Sequence, residues 1–199
     1  MSPRLDQLQL LEPSSRAAWR SWLEANYDSS PGVWLAVGKK GNSRTSLTYV
    51  DAVEEAVRFN WIDSTVNRLD ADRFKQLFTP RKPGSTWSRS NKERVQRLGE
   101  QGLLLPVAIE AIETAKTDGS WTQLDDVEDL VVPEDLAAAL TAVPDANRHF
   151  HAFSASQRKL ALYWIASAKR PETREKRIAE TVRAAAEGHP PRQISGPAT

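Results

Sequence analysis

Arg81, Lys82, Ser85, Trp87, Ser88, Asn91 and Arg94 crowd into one stretch, TPRKPGSTWSRSNKERVQ, from Thr79 to Gln96. Cationic groups, hydroxyls, an amide and a flat indole on a loop broken by Pro83-Gly84 are suited to holding a phosphate or carboxylate. The free N–H groups of a following helix start would add to them. In that reading Arg81, Lys82, Ser85, Ser88 and Asn91 grip the anion, Trp87 stacks on a ring, and Arg94 closes one side. The same residues have a plainer use, with Ser88 or Ser90 capping the helix, Pro83-Gly84 making the turn and Trp87 filling the core.

A second basic cluster, Lys169, Arg170, Arg174 and Arg177, sits where Pro171 and Glu172 mark a helix start. Arg170, Arg174 and Arg177 recur at helical spacing and share a face, which could grip an anionic ligand or pair with acidic residues of the same chain. The dense opposite charges there favour a salt-bridged surface over a nucleic-acid site. Asp63, beside Trp61 and Ile62, is the candidate catalytic residue: partly buried, it would have a raised pKa and could act as a base with arginine support. An ion pair with Arg68 or Arg81 is the structural alternative. The chain shows no recognisable catalytic set beyond that candidate.

No metal site or cofactor is expected. His149 and His151 are two apart on a predicted helix, not at the i, i+4 spacing of helical zinc sites, and the glycines around Lys39-Lys40 match no nucleotide-binding fingerprint. Cysteine is absent, which removes disulfides and thiol chemistry. Asp6 and Glu12 interrupt the start of the chain where an export signal needs an apolar run, and no segment approaches the roughly 18 apolar residues of a membrane span. The expectation is a cytoplasmic protein without a membrane span. A net charge of +1 conceals a basic segment from Arg73 to Arg97 and an acidic one from Glu110 to Asp135. Attraction within the chain explains that asymmetry better than nucleic-acid binding, which remains the alternative along with a protein-interaction module.

These groups must be positioned by a mixed set of elements. Ser14 or Ser15 caps a predicted helix to about Tyr27, Val33 to Val37 reads as a strand, and Thr48 with Asp51 at capping-box distance opens a second helix. Trp61 to Thr79 suggests a hairpin around Asp70-Ala71-Asp72. After the basic loop come helices over 91–101 and 106–116, an acidic connector over 125–132, and helices over 133–142, 145–153, 154–168 and 171–187. Seven tryptophans supply core area, most of them buried.

Four strings together resemble the YdeI/OmpD-associated, bacteriocin-protection family: GVWLAVGKKG (32–41), FNWIDS (59–64), FTPRKPGSTWSRSNKERV (78–95) and YWIASAKRPETREKRI (163–178). The resemblance runs from Trp19 to Gly188 and departs at Asn60, where glycine is expected. It implies a bacterial protein of α+β class, with a small N-terminal antiparallel sheet and flanking helices followed by a C-terminal helical unit. The divisions are 1–104 for the N-terminal domain with the basic loop, 105–188 for the OmdA-like helical domain, and 189–199 for a disordered tail. The resemblance further implies a stress-response or bacteriocin-protection role. The residues themselves add the expectation of a small anionic or aromatic-anionic ligand at the basic loop.

Overall fold

The computed structural model describes residues 7–42 and 44–191. After β1 (Leu10–Leu11), α1 (Arg16–Asn26) begins at Ser15, whose hydroxyl accepts the Ala18 N–H. Its Trp19 and Leu23, one turn apart, are fully buried. β2 (Val33–Gly38) leads to α2 (Tyr49–Arg58), capped by Thr48, which accepts the Asp51 N–H and donates to the Asp51 carboxylate. β3 (Trp61–Arg68) and β4 (Arg73–Pro80) form the expected hairpin. Asp70 shapes its turn by accepting the N–H groups of Asp72 and Arg73.

The strand order is β1-β2-β4-β3. β2, β4 and β3 are antiparallel, but β1 runs parallel to β2, so the sheet is mixed where an antiparallel one was expected. Two residues are too few for an alternating pattern, and the pairing of β1 is set by contacts far along the chain. α1 and α2 cover the sheet with Trp19, Leu23, Val53 and Val57, against Leu35, Trp61 and Phe78. The buried indoles satisfy their N–H groups by donating to backbone oxygens, Trp19 to Ala52 and Trp61 to Tyr27, each at 3.0 Å.

Gly32, just before β2, has φ +146°, and a Cβ there would lie 2.8 Å from Thr79 Cγ2 and 3.0 Å from the Phe78 oxygen. Gly32→Ala is therefore expected to cost about 2 kcal/mol. Urea denaturation measures it, and a variant as stable as the parent would show that β4 can move away.

α3 (Arg89–Glu100) and α4 (Pro106–Thr117) complete a compact unit that reaches Thr122. α4 lies beyond residue 104, yet its Ile112 and Ala115 are buried in the core built by the sheet and α1. A second unit begins at Gln123. It contains α5 (Asp125–Glu128), α6 (Glu134–Thr141), α7 (Pro144–Ala152), α8 (Ala155–Ala166) and α9 (Pro171–Ala186). Leu136, Leu140, Phe150, Leu162 and Ile165 form its separate core. α8 starts on a full capping box between Ser154 and Gln157. The tail expected over 189–199 lies, from residue 192, outside the described residues; His189 donates its N–H to Ala184. Among the described residues no helix is long and apolar enough to cross a membrane. The architecture is α+β.

Candidate functional site

β4 ends at Pro80, and the chain enters the basic loop with Arg81, whose N–H donates to the Asn60 oxygen at 2.9 Å. That bond ties the loop to the turn between α2 and β3. Asn60 holds this turn in the left-handed region at φ 58°, a conformation glycine adopts freely and asparagine tolerates. The departure from glycine noted in the sequence therefore keeps the backbone shape and adds an amide.

Arg81 is only 8 % exposed. Its guanidinium lies 3.7 Å from the centroid of the Trp87 ring, and its Nη1 donates to the Thr86 oxygen at 3.1 Å. Nε and Nη2 are buried and, among the described residues, have no hydrogen-bond partner. Burial pushes the Arg81 pKa down to about 10, with the charge of Asp63 acting in the other direction.

The loop and α4 enclose a cleft of about 250 Å³. Arg81, Lys82, Ser85 and Trp87 line it from the loop, Asn60 from the α2–β3 turn, and Val107, Glu110, Ala111 and Asp118 from α4 and its end. The buried Asn60 Oδ1 likewise has no partner among the described residues. Ser85 sets the turn, its hydroxyl accepting the Lys82 N–H at 3.1 Å. The α4 contribution was not singled out from the sequence, although Val107, Glu110, Ala111, Thr114 and Asp118 recur at the spacing of one helical face.

Ser88, Asn91 and Arg94 are not among the residues lining this cleft. Ser88 is the N-cap of α3, accepting the Asn91 N–H, while Asn91 Oδ1 accepts from Arg94 Nη1 at 3.3 Å. Trp87, expected to stack on a ligand, is 3 % exposed, and its ring is covered by Arg81 and lies 5.1 Å from that of Trp121. Ser88 and Trp87 thus take the cap and core places of the plainer reading, while Arg81, Lys82, Ser85 and Trp87 itself line the cleft.

Asp63 sits where β3 departs from regular pairing between Asp63 and Val66. Its Oδ2 accepts from the Tyr49 hydroxyl at 2.8 Å and from Gln76 Nε2 at 3.3 Å. Among the described residues it makes no ion pair, neither with Arg68 nor with Arg81; the Tyr49 hydroxyl and the Gln76 amide on Oδ2 are its side-chain partners instead. Burial raises the Asp63 pKa, against opposing effects of the Tyr49 hydrogen bond and the charges of Arg94 and Arg81. Tyr49 is raised as well, chiefly by burial. Because the folded-state pKa of Asp63 lies above its unfolded value, its contribution to stability is full at low pH and is lost as pH rises through the folded value. Tyr49→Phe removes a donor to the carboxylate and is expected to raise the Asp63 pKa further. NMR titration of the carboxyl carbon reads this directly, and an unchanged value would mean the hydroxyl does not support the charged form.

In the second unit, Arg174 forms a two-point pair with Asp135, at 2.6 and 2.9 Å. Arg177 donates to the Trp164 oxygen and, at 2.9 Å, to Ser167 Oγ, with its guanidinium 5.3 Å from the Trp164 ring centroid. Arg174 is thus engaged by an acidic residue of its own unit, whereas Arg177 is held by a backbone oxygen and a hydroxyl. Lys169 and Arg170 stay exposed ahead of α9. No group of three or more acidic, histidine or cysteine residues among those described could hold a metal ion.

Two family models match the chain. One, described as a domain of unknown function (DUF8412), covers residues 11–111. The other, described as bacteriocin-protection, YdeI or OmpD-associated, covers residues 129–188. Three of the four strings that carried the resemblance fall in the first region, together with Asn60, Arg81 and Glu110; the fourth falls in the second with Arg174 and Arg177. No curated protein and no solved structure matches the chain.

Proposed function

We propose, for a chain that belongs to the bacteriocin-protection, YdeI or OmpD-associated family through its C-terminal unit and to the DUF8412 family through its N-terminal unit, that the N-terminal unit binds a small anion at Arg81. The observation that carries this reading is the buried pair of unpartnered donors, Nε and Nη2. They form the side-on edge of the guanidinium, where two parallel N–H groups match the two oxygens of a carboxylate or phosphate. A buried charge left with open donors costs the fold several kcal/mol, a cost that a bound oxyanion would offset. Stacking on Trp87 and the bond to Thr86 fix the plane of the fork, and Arg81 is among the residues that line the cleft.

Asp63 is not among the residues lining the cleft, so its geometry favours a binding role for this site over base catalysis. A role in bacteriocin protection comes to the chain through its C-terminal family and belongs to the same proposal.

Calorimetric titration with acetate, succinate and inorganic phosphate tests the site. Arg81→Lys keeps the charge and loses the fork, so the tightest of these anions is expected to bind it at least about tenfold more weakly. Equal affinity in parent and variant would sink the assignment.

A further inference from the structure

We infer that the ligand of the Arg81 cleft is a zwitterion, a small molecule carrying a carboxylate and an ammonium group as a free amino acid does. This rests on the anion-binding reading above and adds the second half of the ligand. The charged side chains lining the cleft are Arg81, Lys82, Glu110 and Asp118, two of each sign. A dianion such as phosphate would gain from the first two and be repelled by the second two. A ligand of no net charge, with its charges separated, meets both pairs favourably.

The hydrogen-bonding groups divide in the same way. Arg81 offers two donors, whereas Asn60 Oδ1 is a buried acceptor that needs a donor from the ligand. A carboxylate satisfies the first and has nothing to give the second; an ammonium group beside it does. Glu110 is exposed on α4 and, among the described residues, its carboxylate has no ion-pair partner, so its charge is available to the cationic end. Asp118 accepts the Ser120 N–H at 2.8 Å and supplies a second negative charge from the end of α4. Val107, Ala111 and Pro83 provide apolar wall for a short side chain, and the volume of about 250 Å³ suits a ligand of that size.

The test compares each amino acid with the acid that lacks only its amino group: L-alanine with propanoate, L-valine with 3-methylbutanoate, and L-phenylalanine with 3-phenylpropanoate. Calorimetry on the full chain, with inorganic phosphate and L-valinamide as further probes, is expected to show at least one amino acid binding about tenfold or more tighter than its partner acid, and no binding of the amide. Glu110→Gln, an exposed substitution, is expected to weaken that amino acid about fivefold while its partner acid, relieved of a like charge, binds equally or slightly tighter. If the simple acids or phosphate bind as tightly as the amino acids, the zwitterion is wrong and the anion site stands. If Glu110→Gln weakens both members of a pair equally, the zwitterion is also wrong. If none of these carboxylates nor phosphate binds, both readings fall.

Discussion

Glu55→Gln is expected to lower the unfolding free energy by about 3 kcal/mol near neutral pH, the largest single stability effect foreseen for the N-terminal unit. Glu55 is fully buried on α2, yet it carries a charge. Three arginines surround it: Arg16 at 2.5 Å, Arg20 at 2.8 Å and Arg58 at 2.5 Å. Burial alone would raise the Glu55 pKa, but the hydrogen bonds from Arg20, Arg16 and Arg58 outweigh it and lower the pKa to about 2. Glutamine fills the same space and leaves three guanidiniums facing a neutral amide, which strands positive charge at the junction of α1 and α2.

The same shift makes a prediction in acid. A glutamate free in the unfolded chain titrates near about 4.3. The folded value is depressed, so this stabilisation is present above the unfolded pKa and is lost as pH falls from there toward about 2, in all roughly 3 kcal/mol. Urea denaturation of parent and variant between neutral pH and the acid limb should show curves that converge on acidification. A neutral-pH loss below about 1 kcal/mol would mean that the partly exposed arginines are solvated well enough not to need the carboxylate. Asp63, with its raised pKa, acts with the opposite sign in acid and does not reproduce this convergence.

Arg81→Met is expected to abolish anion binding, by a factor of about a hundred or more, and yet to leave stability within about 1 kcal/mol of the parent or above it. Methionine retains the apolar contact with Trp87 and removes a buried charge whose Nε and Nη2 are unpartnered. Against that gain stand the lost hydrogen bond to Thr86 and the lost stacking of the guanidinium. A group retained for packing would cost stability when replaced, whereas a group held at the expense of stability marks a functional site. Paired urea denaturation and calorimetric titration separate the two. A destabilisation beyond about 3 kcal/mol would identify Arg81 as a structural arginine and count against the cleft as a ligand site.

Much of this fold could be read locally. Caps at Ser15, Thr48, Ser88 and Ser154 act within three residues of themselves, so the starts of α1, α2, α3 and α8 are present in the sequence as short-range chemistry. The β3–β4 hairpin is equally local, with Asp70 making the turn. β1 was not legible, since two leucines carry no period and their pairing with Trp34 and Leu35 spans a helix. α5 was hidden in an acidic run that reads as connector. The buried charge of Glu55 was also invisible, because its three partners come from two helices.

The candidate site divides along the same line. Composition and spacing alone identified the basic loop and named Arg81 among its candidate anion-binding groups, and the family resemblance marked Asn60 as a residue standing where glycine is expected. Those are properties of residue type and of neighbours along the chain. Only the folded chain distinguishes Arg81 from Arg94, burying one in the wall of a cleft with two unpartnered donors and leaving the other bonded to Asn91 along its own helix. Only the folded chain brings Glu110 and Asp118 opposite the loop. Burial, and with it the cost of an unpartnered charge, arises from packing between segments distant in sequence, and no local pattern encodes which face of a helix will meet which loop.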